Sequence, residues 1–224
     1  MRFDVLTLFP DMIDTVCATS IIGRAADAGL VTIHTHNIRD YSHDKHRRVD
    51  DTPYGGGKGM LMAPGPVVEC HEAVSAMAEG SCKTIFLSPK GKVLTQNKAK
   101  ELASYDRLIL LCGHYEGIDQ RAIDACCDEE ISIGDYVLTG GELPACILID
   151  CVARLIPGVL ADSVCHEIES ISCGMLEYPQ YTHPEVFRGE SVPSVLLSGN
   201  HKEIEKWRHE RALALTLKQR PDLL

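Results

Sequence analysis

The chain has no Cys-x-x-Cys pair among its ten cysteines, no Gly-x-Gly-x-x-Gly fingerprint, no apolar run long enough to cross a bilayer and no excess of positive charge. Each absence removes a class. Without Cys-x-x-Cys, and with Cys126 and Cys127 adjacent, a tetrahedral zinc site has poor geometry, so no metal ligand is assigned. Cysteines are scattered through apolar segments, as at Cys17, Cys112, Cys146 and Cys151, which reads as buried free thiols in a reducing compartment. The missing glycine fingerprint argues against an ordinary dinucleotide site. Asp4, Pro10, Asp11 and Asp14 interrupt the first apolar residues, so no signal peptide is expected, and a cytoplasmic location is. With 22 Lys+Arg against 32 Asp+Glu, the net charge of −10 does not announce a polyanion partner. Basic residues are only local, in Lys45-His46-Arg47-Arg48 and in the segment carrying Lys202, Lys206, Arg208 and Arg211.

What is present reads as an α/β domain with a smaller unit behind it. Phe3 to Leu8 is a buried strand, Ser20 is a candidate cap for a helix through Ala28, and Val31 to His36 alternates like a strand. This is the opening of a βαβ unit and implies a parallel sheet. Residues 37 to 58 lack apolar periodicity and end in Tyr54-Gly55-Gly56-Gly57-Lys58-Gly59. Lys58 is followed by glycine rather than Ser or Thr, which rejects a nucleoside-triphosphate loop. A helix is expected from Pro66 to Ala78, with Val67, Val74 and Met77 near one face. A strand follows over Thr84 to Leu87, then a helix capped by Thr95, then a strand over Arg107 to Cys112.

Three strand ends carry glycine-bearing signals: Ser88-Pro89-Lys90-Gly91, Gly113-His114-Tyr115-Glu116-Gly117 and Ile133-Gly134-Asp135-Tyr136. Ligands of open parallel sheets sit at the carboxyl ends of strands, so these signals converge on one site. The third runs on through Gly140-Gly141-Glu142-Leu143-Pro144 into an apolar helix over Ala145 to Ile156. Beyond Pro157-Gly158 the chain turns acidic and weakly periodic. Three stretches follow: 1–158 as a ligand-binding domain, 159–177 as a linker, and 178–224 as a small helical unit in which Asn200 caps a helix with Glu203 at the capping-box position.

Taken in order, Phe9-Pro10, Tyr54-Gly55-Gly56-Gly57, Leu87-Ser88-Pro89, Gly113-His114-Tyr115-Glu116-Gly117, Ser132-Ile133-Gly134-Asp135-Tyr136-Val137-Leu138, Gly140-Gly141-Glu142-Leu143-Pro144, Pro179-x-Tyr181-Thr182 and Leu196-Leu197-Ser198-Gly199-Asn200-His201 closely resemble the bacterial tRNA (guanine-37, N1)-methyltransferases, the TrmD type of the SPOUT class. The resemblance covers essentially the whole chain. It implies an α/β SPOUT-type parallel sheet with a deep trefoil knot, a C-terminal all-helical domain that binds tRNA, and a homodimer whose active site draws on both subunits. It also implies S-adenosylmethionine as methyl donor, held by Leu87, Ser88, Pro89, Gly113, Tyr115, Glu116, Ile133, Gly134, Tyr136, Leu138, Gly140, Gly141 and Pro144. Magnesium enters by resemblance alone, with no ligand cluster to match it.

Guanine N1 is a poor nucleophile until its lactam proton leaves, so a carboxylate base and a cation facing O6 are the expected pair. The resemblance supplies Arg154 and an acid in the linker. The family's Asp-Ser-Phe register falls on Glu169-Ser170-Ile171, where Glu replaces Asp, and Asp162-Ser163 is the rival, set seven residues farther from Tyr181. Two further departures are His183, where arginine is usual, and Lys58, where proline is common.

Overall fold

The computed structural model describes residues 1–160, 170–171 and 174–224. Its chain divides into two compact units, Met1–Ala161 and Asp162–Leu224.

The first unit is organised by five parallel strands: β1 (Arg2–Thr7), β2 (Thr32–Asn37), β5 (Cys82–Val93), β6 (Arg107–Cys112) and β7 (Glu129–Ser132), in the order β2-β1-β6-β5-β7. Two-residue strands β3 (Asp50–Asp51) and β4 (Leu61–Met62) pair separately. Six helices accompany them: α1 (Pro10–Cys17), α2 (Ser20–Asp27), α3 (Pro64–Ser75), α4 (Gln96–Leu102), α5 (Gln120–Cys126) and α6 (Glu142–Ala153). Successive strand side chains point to opposite faces, so the central strands feed two cores. Phe3, Val5, Ile85, Leu87, Leu108 and Leu110 pack with α1, α2, α4 and α6. Leu6, Phe86, Ile109 and Leu111 pack with α3, α5 and Ile38. A sheet covered on both faces has near-continuous apolar strands, as Leu108 to Cys112 shows.

The exception is Asp4, fully buried in β1. It accepts hydrogen bonds from Arg107 Nε and Arg2 Nε at 2.7 Å and pairs with His36 Nε2 at 2.7 Å. Burial works against its charge, but His36, Arg2 and Arg107 together hold its carboxyl well below the usual range. Arg107 in turn donates to the Val74 carbonyl at 2.6 Å, which ties the end of α3 to the sheet.

Several expected boundaries move. Thr19, not Ser20, occupies the cap position of α2, and Ser20 is the first helical residue with φ 56°. Helix α3 starts at Pro64 and stops before Met77, which is half exposed. Strand β5 runs past Leu87 to Val93 because its register against β7 slips between Leu87 and Lys92, and pairing resumes beyond the slip. Helix α6 starts at Glu142, with Pro144 in the first turn, where a missing N–H costs no intrahelical bond. The long loop after β2 holds a 3-10 turn over Ile38–Tyr41 and then strand β3, so it is not wholly irregular. Thr95 and Asn200 cap as expected, accepting from the Lys98 and Glu203 amides.

The second unit contains α7 (Ser194–Leu197) and α8 (His201–Gln219), but it is not all helical. Val186–Phe187 and Glu190–Ser191 form an antiparallel hairpin, turned by Arg188 and Gly189 at positive φ. On α8, Trp207 lies edge-on to Tyr178 and tilted to Tyr181, with Arg211 over its own ring and Arg208 over that of Tyr178.

Candidate active site

A cavity of about 230 Å³ is walled by residues 86–89, where β5 slips register against β7, and by the segments that follow β6 and β7. Every residue assigned above to the methyl donor lines it, from Leu87, Ser88 and Pro89 through Gly113, Tyr115, Glu116, Ile133, Gly134, Tyr136, Leu138, Gly140 and Gly141 to Pro144. The loops are held by their own backbones. The Gly141 amide donates to the Gly113 carbonyl at 2.9 Å, and His114 forms a bridge with Gly140. After β7, Gly134 donates to Ser132 Oγ at 3.1 Å and Ser132 Oγ donates back to the Gly134 carbonyl at 3.0 Å.

Two glycines explain why this region tolerates no side chain. A Cβ on Gly141 would stand 2.7 Å from Cys112 Cα and 3.0 Å from the Gly113 amide, both backbone atoms that cannot turn aside. A Cβ on Gly134, at φ 143°, would stand 2.6 Å from the Tyr136 ring, whose hydroxyl donates to the Ile133 carbonyl at 3.2 Å. Tyr115 is the non-glycine residue of the cavity at positive φ, 59°, a backbone state held here by neighbours. Its hydroxyl accepts from Arg39 at 3.3 Å, and the Glu116 and Gly117 backbone bonds to Met60 and Met62 at 3.0 and 2.9 Å.

The cavity suits a small group with an apolar body and a polar edge. Leu87, Ile133, Leu138 and Pro144 supply apolar surface, while carbonyls and amides exposed by glycine supply hydrogen bonds. Burial, with the Glu142 carboxylate nearby, pushes the Cys112 thiol well above its ordinary range. It stays a neutral thiol and does not compete as a nucleophile.

The sequence reading missed Phe86, His114, Gly117, Ile131, Ser132, Val137 and Thr139, which also line the cavity. His114 stood inside a quoted motif and its Nδ1 is buried with no hydrogen-bond partner among the described residues. Phe86 gave no signal, because it reads as an ordinary strand residue.

Arg154 is not in this cavity. It ends α6 and lines a separate groove of about 890 Å³ between α1 and α6. Leu143, Ile147, Asp150 and Arg154 recur at helical spacing along one face, and all line that groove. At 1.5 Å per residue, Arg154 lies roughly 15 Å along the helix from Pro144. Glu169 and its rival Asp162 lie outside the described residues.

Comparison with known proteins agrees with this geometry. The family model described as tRNA (Guanine-1)-methyltransferase TrmD matches residues 1–224. A tRNA (guanine-N(1)-)-methyltransferase of Ruminiclostridium cellulolyticum is 59% identical over 223 residues, covering 100% of this chain and 96% of the relative. Relatives of the same description from Alkaliphilus metalliredigens and Geobacter sulfurreducens are 55% and 54% identical, again over 100% of this chain and over 92% and 91% of their own lengths. With a full-length match and this identity, the chain belongs to the tRNA (guanine-N1)-methyltransferase family.

Proposed function

We propose that the protein transfers a methyl group from S-adenosylmethionine to N1 of guanine 37 in tRNAs with guanine at position 36, and that it works as a homodimer in the cytoplasm. The observation that carries this reading is the donor cavity, whose whole expected lining meets where β5 slips register and where β6 and β7, the strands on either side of it, end. When bound there, S-adenosylmethionine supplies an electrophilic methyl on a sulfonium.

The chain's own residues do the rest. The cavity walls orient the donor and exclude water, so the methyl meets guanine in a near-attack geometry. Glu169, assigned from its sequence register, takes the N1 proton, with Asp162 as the alternative. Arg154 faces guanine O6, where negative charge develops as that proton leaves. Methyl transfer in line with the departing sulfur completes the reaction, and the proton stays on the carboxylate until solvent removes it.

The separation along α6 supports a shared site. Reacting atoms must approach within about 3–3.5 Å, whereas Arg154 and Pro144 of one chain stand several turns apart. Ahead of Asp150 and Arg154, the same α6 face exposes two apolar side chains, Leu143 at 49% and Ile147 at 45%. A second copy covering that stripe would bring one subunit's arginine towards the other's donor.

Two close backbone approaches are in keeping with the knotted reading of the SPOUT class. Gly141 passes against Cys112 and Gly113, and a Cβ on Gly91 would collide with the Glu130 backbone. In the second unit, the arginines over Tyr178 and Trp207 make a surface suited to RNA. Magnesium is assigned no residue.

The test is methyl transfer from radiolabelled donor to tRNA transcripts carrying guanine at 36 and 37. Product mapped to N1 of guanine 37, lost when position 36 is changed to adenine, is the expected result. Donor binding without transfer would sink the reading.

A further inference from the structure

We infer that Thr7 and Glu142, which stand outside the cavity, are the positioning pair that sets the donor loop. The inference rests on the cavity being the methyl-donor site. Both residues are buried, Thr7 fully and Glu142 to 3% exposure. Thr7 Oγ1 donates to Glu142 Oε1 at 2.7 Å across 135 residues of sequence, joining the end of β1 to the first turn of α6. The same hydroxyl accepts from the Phe9 amide at 2.9 Å. The Phe9 ring packs on His114 with centroids 4.9 Å apart, and His114 bridges Gly140. Gly140 closes the circuit, because a Cβ there would collide with both Glu142 Oε2 and His114 Nδ1.

The loop from Gly140 to Gly141 is therefore wedged between two polar side chains that are themselves fixed from β1. A buried carboxylate is costly unless it is hydrogen-bonded, and a hydroxyl donating to a carboxylate at this distance is among the stronger bonds available. The first turn of α6 also favours a negative charge. Glu142 thus holds its place through Thr7, and its second oxygen faces the glycine that lines the cavity. Removing the Thr7 hydroxyl leaves both Glu142 and the Phe9 amide short of a partner.

The experiment compares Thr7→Val and Thr7→Ser with the parent protein in steady-state methyl transfer, varying donor and tRNA separately. Unfolding temperature and S-adenosylhomocysteine binding by calorimetry accompany the kinetics. Thr7→Val should raise the donor KM about tenfold while kcat at saturating donor and the tRNA KM stay within about threefold, and Thr7→Ser should restore the donor KM. Phe9→Leu, at a partly exposed position that does not threaten the core, should raise the donor KM roughly threefold by loosening His114. It keeps the inference testable if Thr7→Val fails to fold. An unchanged donor KM in the folded variants, or a loss confined to kcat, overturns the inference. Failure of the parent protein to bind S-adenosylhomocysteine would instead sink the donor-site reading.

Discussion

The donor cavity and the α1–α6 groove share the walls Ile133, Tyr136 and Leu138, yet they are built from different material. The cavity is glycine-rich, with Gly113, Gly117, Gly134, Gly140 and Gly141 in its lining and a backbone hydrogen bond from Gly141 to Gly113 between segments that follow different strands. The groove is mostly side chain: Val16, Leu143 and Ile147 exposed along two helices, ending at Arg154. A glycine packed against main-chain atoms, as Gly141 is, tolerates no side chain, because a clash with the backbone has no rotamer to escape into. A side-chain-lined face can be covered by another surface, and its chemistry depends on what covers it. The first region suits holding a donor and the second suits being completed by a second subunit.

That contrast breaks first at the base. Glu169→Ala should lower single-turnover methyl transfer by about 10²–10⁴ while S-adenosylhomocysteine binding persists, since removing a general base spares the cavity. Near-normal turnover would move the role to Asp162.

The cavity's intolerance is sharpened by Gly141→Ala. Its added methyl meets the Cys112 and Gly113 backbone, so overpacking of about 1–3 kcal/mol is expected. Calorimetry should show donor binding weakened by roughly tenfold or more, since about 1.4 kcal/mol is a factor of ten. A variant that binds donor like the parent would mean that the loop yields, contrary to a backbone-built wall.

The smallest step concerns the groove. Ile147→Lys places a charge in the middle of the exposed stripe without touching the donor loops, so sedimentation equilibrium should show a dimer dissociating at concentrations where the parent holds together. Donor binding per chain should stay within about twofold, while turnover falls with the dimer. A stable, active dimer would locate the interface elsewhere.

Much of this was legible before any coordinates. The strand at Arg107 to Cys112 is placed residue for residue by its apolar run, and the caps at Thr95 and Asn200 by their side-chain oxygens. Much of the cavity lining was legible because glycine and proline leave marks wherever the backbone must bend or approach another segment. Boundaries set by tertiary pairing were not legible. Strand β5 continues to Val93 only because β7 accepts it after a register slip, and the two-residue strands of the second unit are too short to carry a period. His114 was visible as a letter in a motif, but its buried Nδ1 was not, because burial belongs to the assembled loops.

By itself the sequence determined the family, the parallel α/β class and a set of residues that line one cavity, since local bends and apolar runs act through the chain's own backbone. Only the tertiary structure decided that Arg154 lines the neighbouring groove rather than that cavity, and that Thr7 reaches Glu142 across 135 residues. Distances between segments far apart in sequence are set by how the sheet and helices pack, and no local pattern encodes them.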